Sequence, residues 1–417
     1  MRALCGAGGM IDRCRGALVL AVVLLVSPVR AQDFPLELRP PVAARPANLV
    51  ERDQGAPPAP AAAELVVPFS LLGRFVLPGT RMVLDLPVTG GGGDASAPVS
   101  VVHGARPGPV LCLAAGIHGD EINGVEIVRR LVNLLQPEQL AGTVVAVPVV
   151  NLSGFQRGTR YLPDRRDLNR YFPGSRYGSM ASRIAYVFFD GVVRHCDALI
   201  DFHTGSFDRS NLPQVRADLR LPAVLELARG LGATVVLHSP GSKGMLRLAA
   251  TAAGIPALTF EVGAPARLQV SEIEVAVAAI NGLLHHLGMV DGGASDKLPQ
   301  PIFYDSQWVR ANAGGLLIGE VALGQRVQKG QRLGRVIDPL RNTERAMVSP
   351  VFGRVLGMAQ NQQVLPGFAA FHLGEETSEQ HAVEEAGTAV AEDVDEDGGR
   401  AGADAPERVT PADDDVE

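Results

Sequence analysis

The sequence predicts an α/β fold: a mostly parallel mixed sheet flanked by helices, followed by a small all-β domain. Three observations carry this. Short β-branched runs alternate with helix-length amphipathic segments over residues 65–295, the pattern of strands joined by helical crossovers. Hydrophobic residues make up 46% of the 417-residue chain and aromatics only 5%, which suits a sizeable aliphatic core. Residues 296–374 change character, with short strand-like runs punctuated by Gly and Pro and no helical period.

At the N-terminus, Arg13 and Arg15 precede the apolar run "GALVLAVVLLV", and "SPVRA" follows with small residues before Gln32. This pattern predicts a cleaved signal peptide over residues 1–31, because a retained span would need about 20 apolar residues. No Cys follows Ala31 to carry a lipid. The expected location is therefore periplasmic or secreted, the periplasm in a Gram-negative host. Residues 32–64, rich in Pro and Ala, read as an extended linker.

"VVPFSLLGRFVLPGTRMVLDLPV" and "PVSVVHG" then suggest antiparallel strands at the edge of the sheet. The core strand candidates are "PVLCLAAG", "TVVAVPVV", "ALIDF", "TVVLH" and "PALTF". Helices are expected near 122–135, 180–195, 222–231, 245–253 and 271–287, the last with Ser271 as its cap and an acidic residue three positions on. Cys112 and Cys196 are the only cysteines beyond the leader, and they read as buried thiols beside predicted strands, with a single bridge the alternative that sequence alone does not decide.

Residues 375–417 hold sixteen acidic residues against Arg400 and Arg408, a composition expected to be disordered. Setting aside the tail's −14 and the leader's +3 turns the formal −7 into +4 for residues 32–374. The acidity belongs to the tail, and nothing in the charge pattern points to nucleic acid.

An open α/β sheet binds ligands beyond the carboxyl ends of its strands. His118 and Glu121 follow "LCLAAGI", Asn151 follows "VVAVPVV", His203 follows "ALIDF" and Glu261 follows "PALTF". If the helix began at the turn, His118 and Glu121 would stand one turn apart on one face. Two imidazoles and a carboxylate, supplied by His118, Glu121 and His203, suit a catalytic zinc whose fourth position is left to water. Asp201 would orient a ligating imidazole from behind. Glu261, at the end of an apolar strand, is the candidate proton shuttle, with a pKa raised by desolvation.

The segment "NLSGFQRGTRYLPDRRDLNRYFPG" is basic and loop-like. Within it, Arg160 could stabilise a developing oxyanion, and Asn169 with Arg170 could hold a carboxylate.

The motifs "GIHGDE", "RYLPDRRDLNR", "DFHTG" and "FEVG", in this order, resemble the succinylglutamate desuccinylase and aspartoacylase family, relatives of the zinc carboxypeptidases. The resemblance covers roughly residues 65–375. It implies one zinc held by His118, Glu121 and His203, a general acid/base at Glu261, an oxyanion-stabilising Arg160, and carboxylate contacts from Asn169 and Arg170. "GSFDRSNLPQVRADL" resembles a loop of bacterial members, so Arg209 and Asn211 either face the cleft or make local bonds. Arg247 is the candidate contact for a second acidic group. Residues 300–373 resemble a biotinyl/lipoyl-like β-barrel half. Its hairpin "DPLRNTERAMVSP" has no Lys to carry a prosthetic group, and Lys329 lies in an earlier turn, so a structural or substrate-shaping role is expected.

The expected activity is hydrolysis of a carboxylate-bearing amide, such as an N-acyl amino acid, by metal-activated water. The alternatives are an exported carboxypeptidase-like enzyme acting on short or cell-wall peptides, and a non-catalytic envelope ligand-binding protein. No nucleic-acid partner and no stable membrane span after leader cleavage are expected.

Overall fold

The computed structural model describes residues 65–87, 96–292 and 300–376; the expected signal peptide, the linker and residues 377–417 of the acidic tail lie outside them. An N-terminal hairpin, β1 (Phe69–Leu71) and β2 (Arg74–Val76), stands apart from the main sheet. Then come β3 (Thr80–Pro87), β4 (Ser96–His103), β5 (Arg106–Ala114), α1 (Ile122–Leu134), β6 (Ala141–Val147), α2 (Leu152–Arg157), α3 (Met180–Gly191) and β7 (Ala198–His203). They are followed by β8 (Arg209–Ala217), α4 (Pro222–Arg229), β9 (Val235–His238), α5 (Leu246–Ala252), β10 (Ala257–Gly263) and α6 (Val270–His286).

The parallel strands lie in the order β6, β5, β7, β10. Along β5 and β6 alternate residues enter opposite cores. Leu111, Leu113, Val144 and Ala146 pack beneath α1, α4 and α6, while Cys112, Ala114, Val145 and Val147 pack beneath α3 and α5. Burial on both faces explains why these strands read as unbroken aliphatic runs. β3 and β4 close one edge antiparallel, as expected.

Three expectations need correction. Arg209–Ala217 is a strand, not a loop: β8 lies antiparallel to β10 and carries polar side chains toward a cleft. Its Pro213 and its run of Asn, Gln and Arg hide the strand from a hydrophobic-pattern reading. Helix α6 is capped by Gln269 without a side-chain bond, so Ser271 lies inside the helix. The arginine-rich segment after Asn151 is not all loop, since α2 and a 3-10 turn, Leu168–Arg170, lie within it.

The C-terminal strands are β11 (Ile302–Phe303), β12 (Ser306–Arg310), β13 (Gly315–Gly319), β14 (Arg326–Val327), β15 (Arg332–Asp338), β16 (Thr343–Val348), β17 (Gly353–Ala359), β18 (Gln363–Val364) and β19 (Ala369–Glu375). β17 pairs with β8, and β19 and β12 continue outward from it, so the main sheet runs on into the C-terminal region. β13, β15, β16 and β18 form a separate four-stranded sheet. No helix among the described residues is long and apolar enough to cross a membrane.

Cys112 and Cys196 are bridged, which decides between the two readings of the pair. β5 and β7 are neighbours with Cys112 opposite Leu199, which brings Cys196, two residues before β7, within reach. The closed loop spans 84 residues, for which chain entropy gives about 4 to 5 kcal/mol and engineered cases usually less. Replacing both cysteines by Ala is expected to lower Tm by roughly 5–15 °C. Scanning calorimetry checks this, and an unchanged Tm would show that the bridge does not stabilise the fold.

Candidate metal centre and cleft

In the sheet order, β5 and β7 flank the point where the chain turns from one side of the sheet to the other, the place where open α/β sheets hold ligands. The turn after β5 carries Gly116 at φ +61°, a left-handed backbone that favours glycine. A Cβ at Gly119 would sit 1.9 Å from the carbonyl carbon of Gly154, so α2 packs directly on this turn. Glu121 is the N-cap of α1, with φ −89° and ψ 71°. His118 and Glu121 therefore do not share a helix face as expected; a turn closed by Glu121 N–H donating to His118 O brings them together.

The result still satisfies the metal hypothesis geometrically. Ligand atoms of His118, Glu121 and His203 all lie within 4.8 Å of one another, and all three residues are buried. His118 Nδ1 is 2.8 Å from Glu121 Oε1, and His203 Nδ1 is 2.9 Å from Oε2. The two Nδ1 atoms are 3.1 Å apart. Behind them, His203 Nε2 meets Asp201 Oδ2 at 2.8 Å and His118 Nε2 meets Asp167 Oδ1 at 3.0 Å. Carboxylates accept, so each Nε2 is the donor and each neutral ring turns an Nδ1 lone pair inward. Lone pairs from three acceptors aimed at one point call for a cation.

Without a metal, protons answer that demand. Burial, then the Arg160 guanidinium, oppose a charged His118, but the carboxylates of Glu121 and Asp167 outweigh both and its pKa is raised. Burial likewise opposes a charged His203, and Asp201 and Glu121 raise it well above the ordinary 6.5. Burial alone would raise the Glu121 carboxyl, yet the two imidazoles hold it well below the ordinary 4.5.

Raised imidazoles stabilise the fold below pH 6.5 and lose that contribution as pH climbs through their folded values; the depressed carboxylate contributes above pH 4.5 and loses its contribution on acidification. The metal-free site is expected to contribute most between these two values. Zinc needs unprotonated imidazoles, so the Tm gain on adding zinc should grow as pH rises from 6 to 8. A gain that shrinks over this range would contradict the assignment.

Arg160 is buried beside these ligands. Its Nη1 donates to Glu121 Oε1 at 3.0 Å, and its Nη2 to Asp167 Oδ2 at 3.0 Å. Asn151 caps α2 by accepting from Gly154 N and donates to Arg160 O, which holds this loop in place. Glu261 lies opposite His203 in the β10–β7 register. Its Oε2 accepts from Asn211 Nδ2 at 3.1 Å, and Arg216 Nε lies 3.4 Å from Oε1.

These groups line one cleft at the carboxyl ends of the central strands. His118, Glu121, His203, Arg160, Asn169, Arg209, Asn211, Arg247 and Glu261 all line it. Asn169 Oδ1 accepts from Leu246 N at 2.8 Å. Arg247 Nε donates to Thr259 Oγ1, and its Nη1 donates to Ser239 O. Arg170 does not line the cleft; its guanidinium donates to Asn169 O. Asp167, Arg216, Thr259 and Trp308 complete the surroundings and were not singled out from sequence. Asp167 sits in "DRRDLNR", where an acid set among arginines is the available signal, whereas Arg216 and Trp308 reach the cleft through tertiary structure alone.

Residues 107–287 match the family model described as the succinylglutamate desuccinylase/aspartoacylase catalytic domain. This stretch of the chain is similar to the catalytic domain of that family. Among its relatives, the N-alpha-acetyl-L-2,4-diaminobutyric acid deacetylase of Halomonas elongata is 29% identical over 262 residues, covering 60% of this chain and 76% of the relative. A succinylglutamate desuccinylase structure from Silicibacter sp. TM1040 superposes with a TM-score of 0.63 at 25% identity, covering 71% of this chain and 94% of that one. The ectoine utilization protein EutE (DoeB) of Ruegeria pomeroyi, in a product-bound structure, shares the fold with a TM-score of 0.65 at 23% identity, covering 74% and 99%.

Proposed function

We propose that this protein is an exported, zinc-dependent hydrolase that cleaves the amide bond of a carboxylate-bearing N-acyl amino acid. One observation carries the reading: His118, Glu121 and His203 aim three acceptor atoms at one point, with Asp167 and Asp201 fixing the imidazole tautomers from behind. When bound there, zinc would supply an activated water and polarise the substrate carbonyl.

The protein's own groups supply the rest. Glu261, held by Asn211 and Arg216 at the rim of this site, takes a proton from the attacking water and returns it to the leaving amine. Arg160 donates to the carbonyl oxygen as negative charge develops on it. Arg209, Arg216 and Arg247 make the cleft wall cationic, and Asn169 adds an amide, which suits a substrate carboxylate. Arg170 is left out of this contact set because it lies off the cleft. The Halomonas relative, named for deacetylating an N-acetylated amino acid, supports the substrate class. The leader-like N-terminal sequence and the Cys112–Cys196 bridge support export, since disulfides persist in oxidising compartments. The C-terminal strands serve as structural walls and not as a carrier, given the hairpin without Lys.

The test is a screen of the zinc-loaded full chain against N-acyl amino acids and short peptides, with released amines quantified. Turnover of N-acyl amino acids is expected. A preference for peptides would favour a carboxypeptidase-like enzyme, and failure to bind stoichiometric zinc a non-catalytic binding protein.

A further inference from the structure

Trp308 is the protein's sole tryptophan and the one cleft-lining residue C-terminal to position 300 among the described residues. Its placement is built from several elements. β12 pairs with β19 so that Trp308 lies opposite His372, and their rings stack with centroids 4.6 Å apart and 8° between planes. His372 Nε2 is fixed at 2.9 Å from Ser306 Oγ. The guanidinium carbon of Arg209 lies 4.9 Å from the indole centroid, 5.0 Å from that of Phe368 and 5.8 Å from that of Phe207. Arg209 Nε donates to Ala369 O at 3.0 Å, which locks the guanidinium among these rings.

The cleft therefore has walls of different chemistry. Asn169, from the Leu168–Arg170 turn, and Arg247 and Thr259, from α5 and β10, are polar and suit a carboxylate. The wall built on β8 and β12 sets the indole of Trp308, the one Phe, Tyr or Trp side chain among the described residues lining the cleft, beside Arg209, whose guanidinium also packs on Phe207 and Phe368. An apolar substituent of the substrate gains more against the indole than against the Asn169, Arg247 and Thr259 side.

Resting on the hydrolase reading above, we infer that Trp308 bounds the acyl subsite and sets the length of acyl chain the enzyme accepts. A braced indole cannot give way, so each methylene pressed against it should cost about 10–200-fold in specificity.

The test compares zinc-loaded wild type, Trp308→Phe and Trp308→Ala on N-acetyl, N-butyryl and N-hexanoyl derivatives of one amino acid that the wild type hydrolyses. Trp308→Ala should raise the hexanoyl-to-acetyl ratio of kcat/KM at least tenfold, with Trp308→Phe in between. An unchanged ratio in Trp308→Ala with native zinc content and circular dichroism would overturn the inference and leave the hydrolase reading standing. A change seen instead for substrates lengthened on the amine side would also overturn it. Emission of the lone indole gives a second readout that needs no variant: acetate and hexanoate are titrated into zinc-loaded wild type, and saturable changes are expected with both, reached only at higher concentration for hexanoate. Emission indifferent to both acids would count against the inference. A wild type that hydrolyses no N-acyl amino acid would defeat the hydrolase reading itself, and the titration would still report on Trp308.

Discussion

Glu261→Gln is expected to keep one zinc per chain and to lose about 10²–10⁴-fold in kcat, the range of a general acid/base. Gln preserves the shape and still accepts from Asn211 Nδ2, but it cannot take a proton from water. None of the three ligand atoms belongs to Glu261, so metal content should not move. Metal analysis and steady-state kinetics on one preparation separate the outcomes. Turnover at the wild-type level would remove Glu261 from the chemistry, and loss of zinc together with turnover would make it part of the metal site.

Replacing Arg160 by Gln should cost about 10²–10³-fold in kcat, the usual loss when one oxyanion donor is removed. The effect should fall on kcat more than on KM, because the charge it meets develops only in the transition state. Removing a guanidinium from beside Glu121 and His118 also removes a repulsion toward a divalent ion. Zinc affinity should therefore hold or rise, as chelator competition would show. A fall in KM-dependent binding with kcat intact would make Arg160 a substrate anchor instead.

Much of this was legible in the sequence for a physical reason. Strands β5, β6, β7 and β10 are buried on both faces, so their positions appear as aliphatic runs, and the sheet topology gathers the residues at their ends. His118, Glu121 and His203 announce themselves because few other side chains suit a borderline metal. What stayed hidden depends on tertiary packing. β8 escaped because its cleft-facing Arg209, Asn211 and Arg216 and its central Pro213 carry no hydrophobic alternation. The turn joining His118 to Glu121 is not distinguishable from a first helical turn in sequence, because a spacing of three fits both. Asp167 and Trp308 act across 49 and nearly 200 residues of chain from His118, distances over which local pattern says nothing. The disulfide followed from the adjacency of β5 and β7, which a cysteine count does not reveal.

The account depends most on convergence of the three ligands. Anomalous diffraction at the zinc edge, from crystals of the full chain grown with zinc, tests it directly. One peak is expected, within bonding distance of His118 Nδ1, His203 Nδ1 and the Glu121 carboxylate. Zinc bound elsewhere, with no peak among these three side chains, would contradict it.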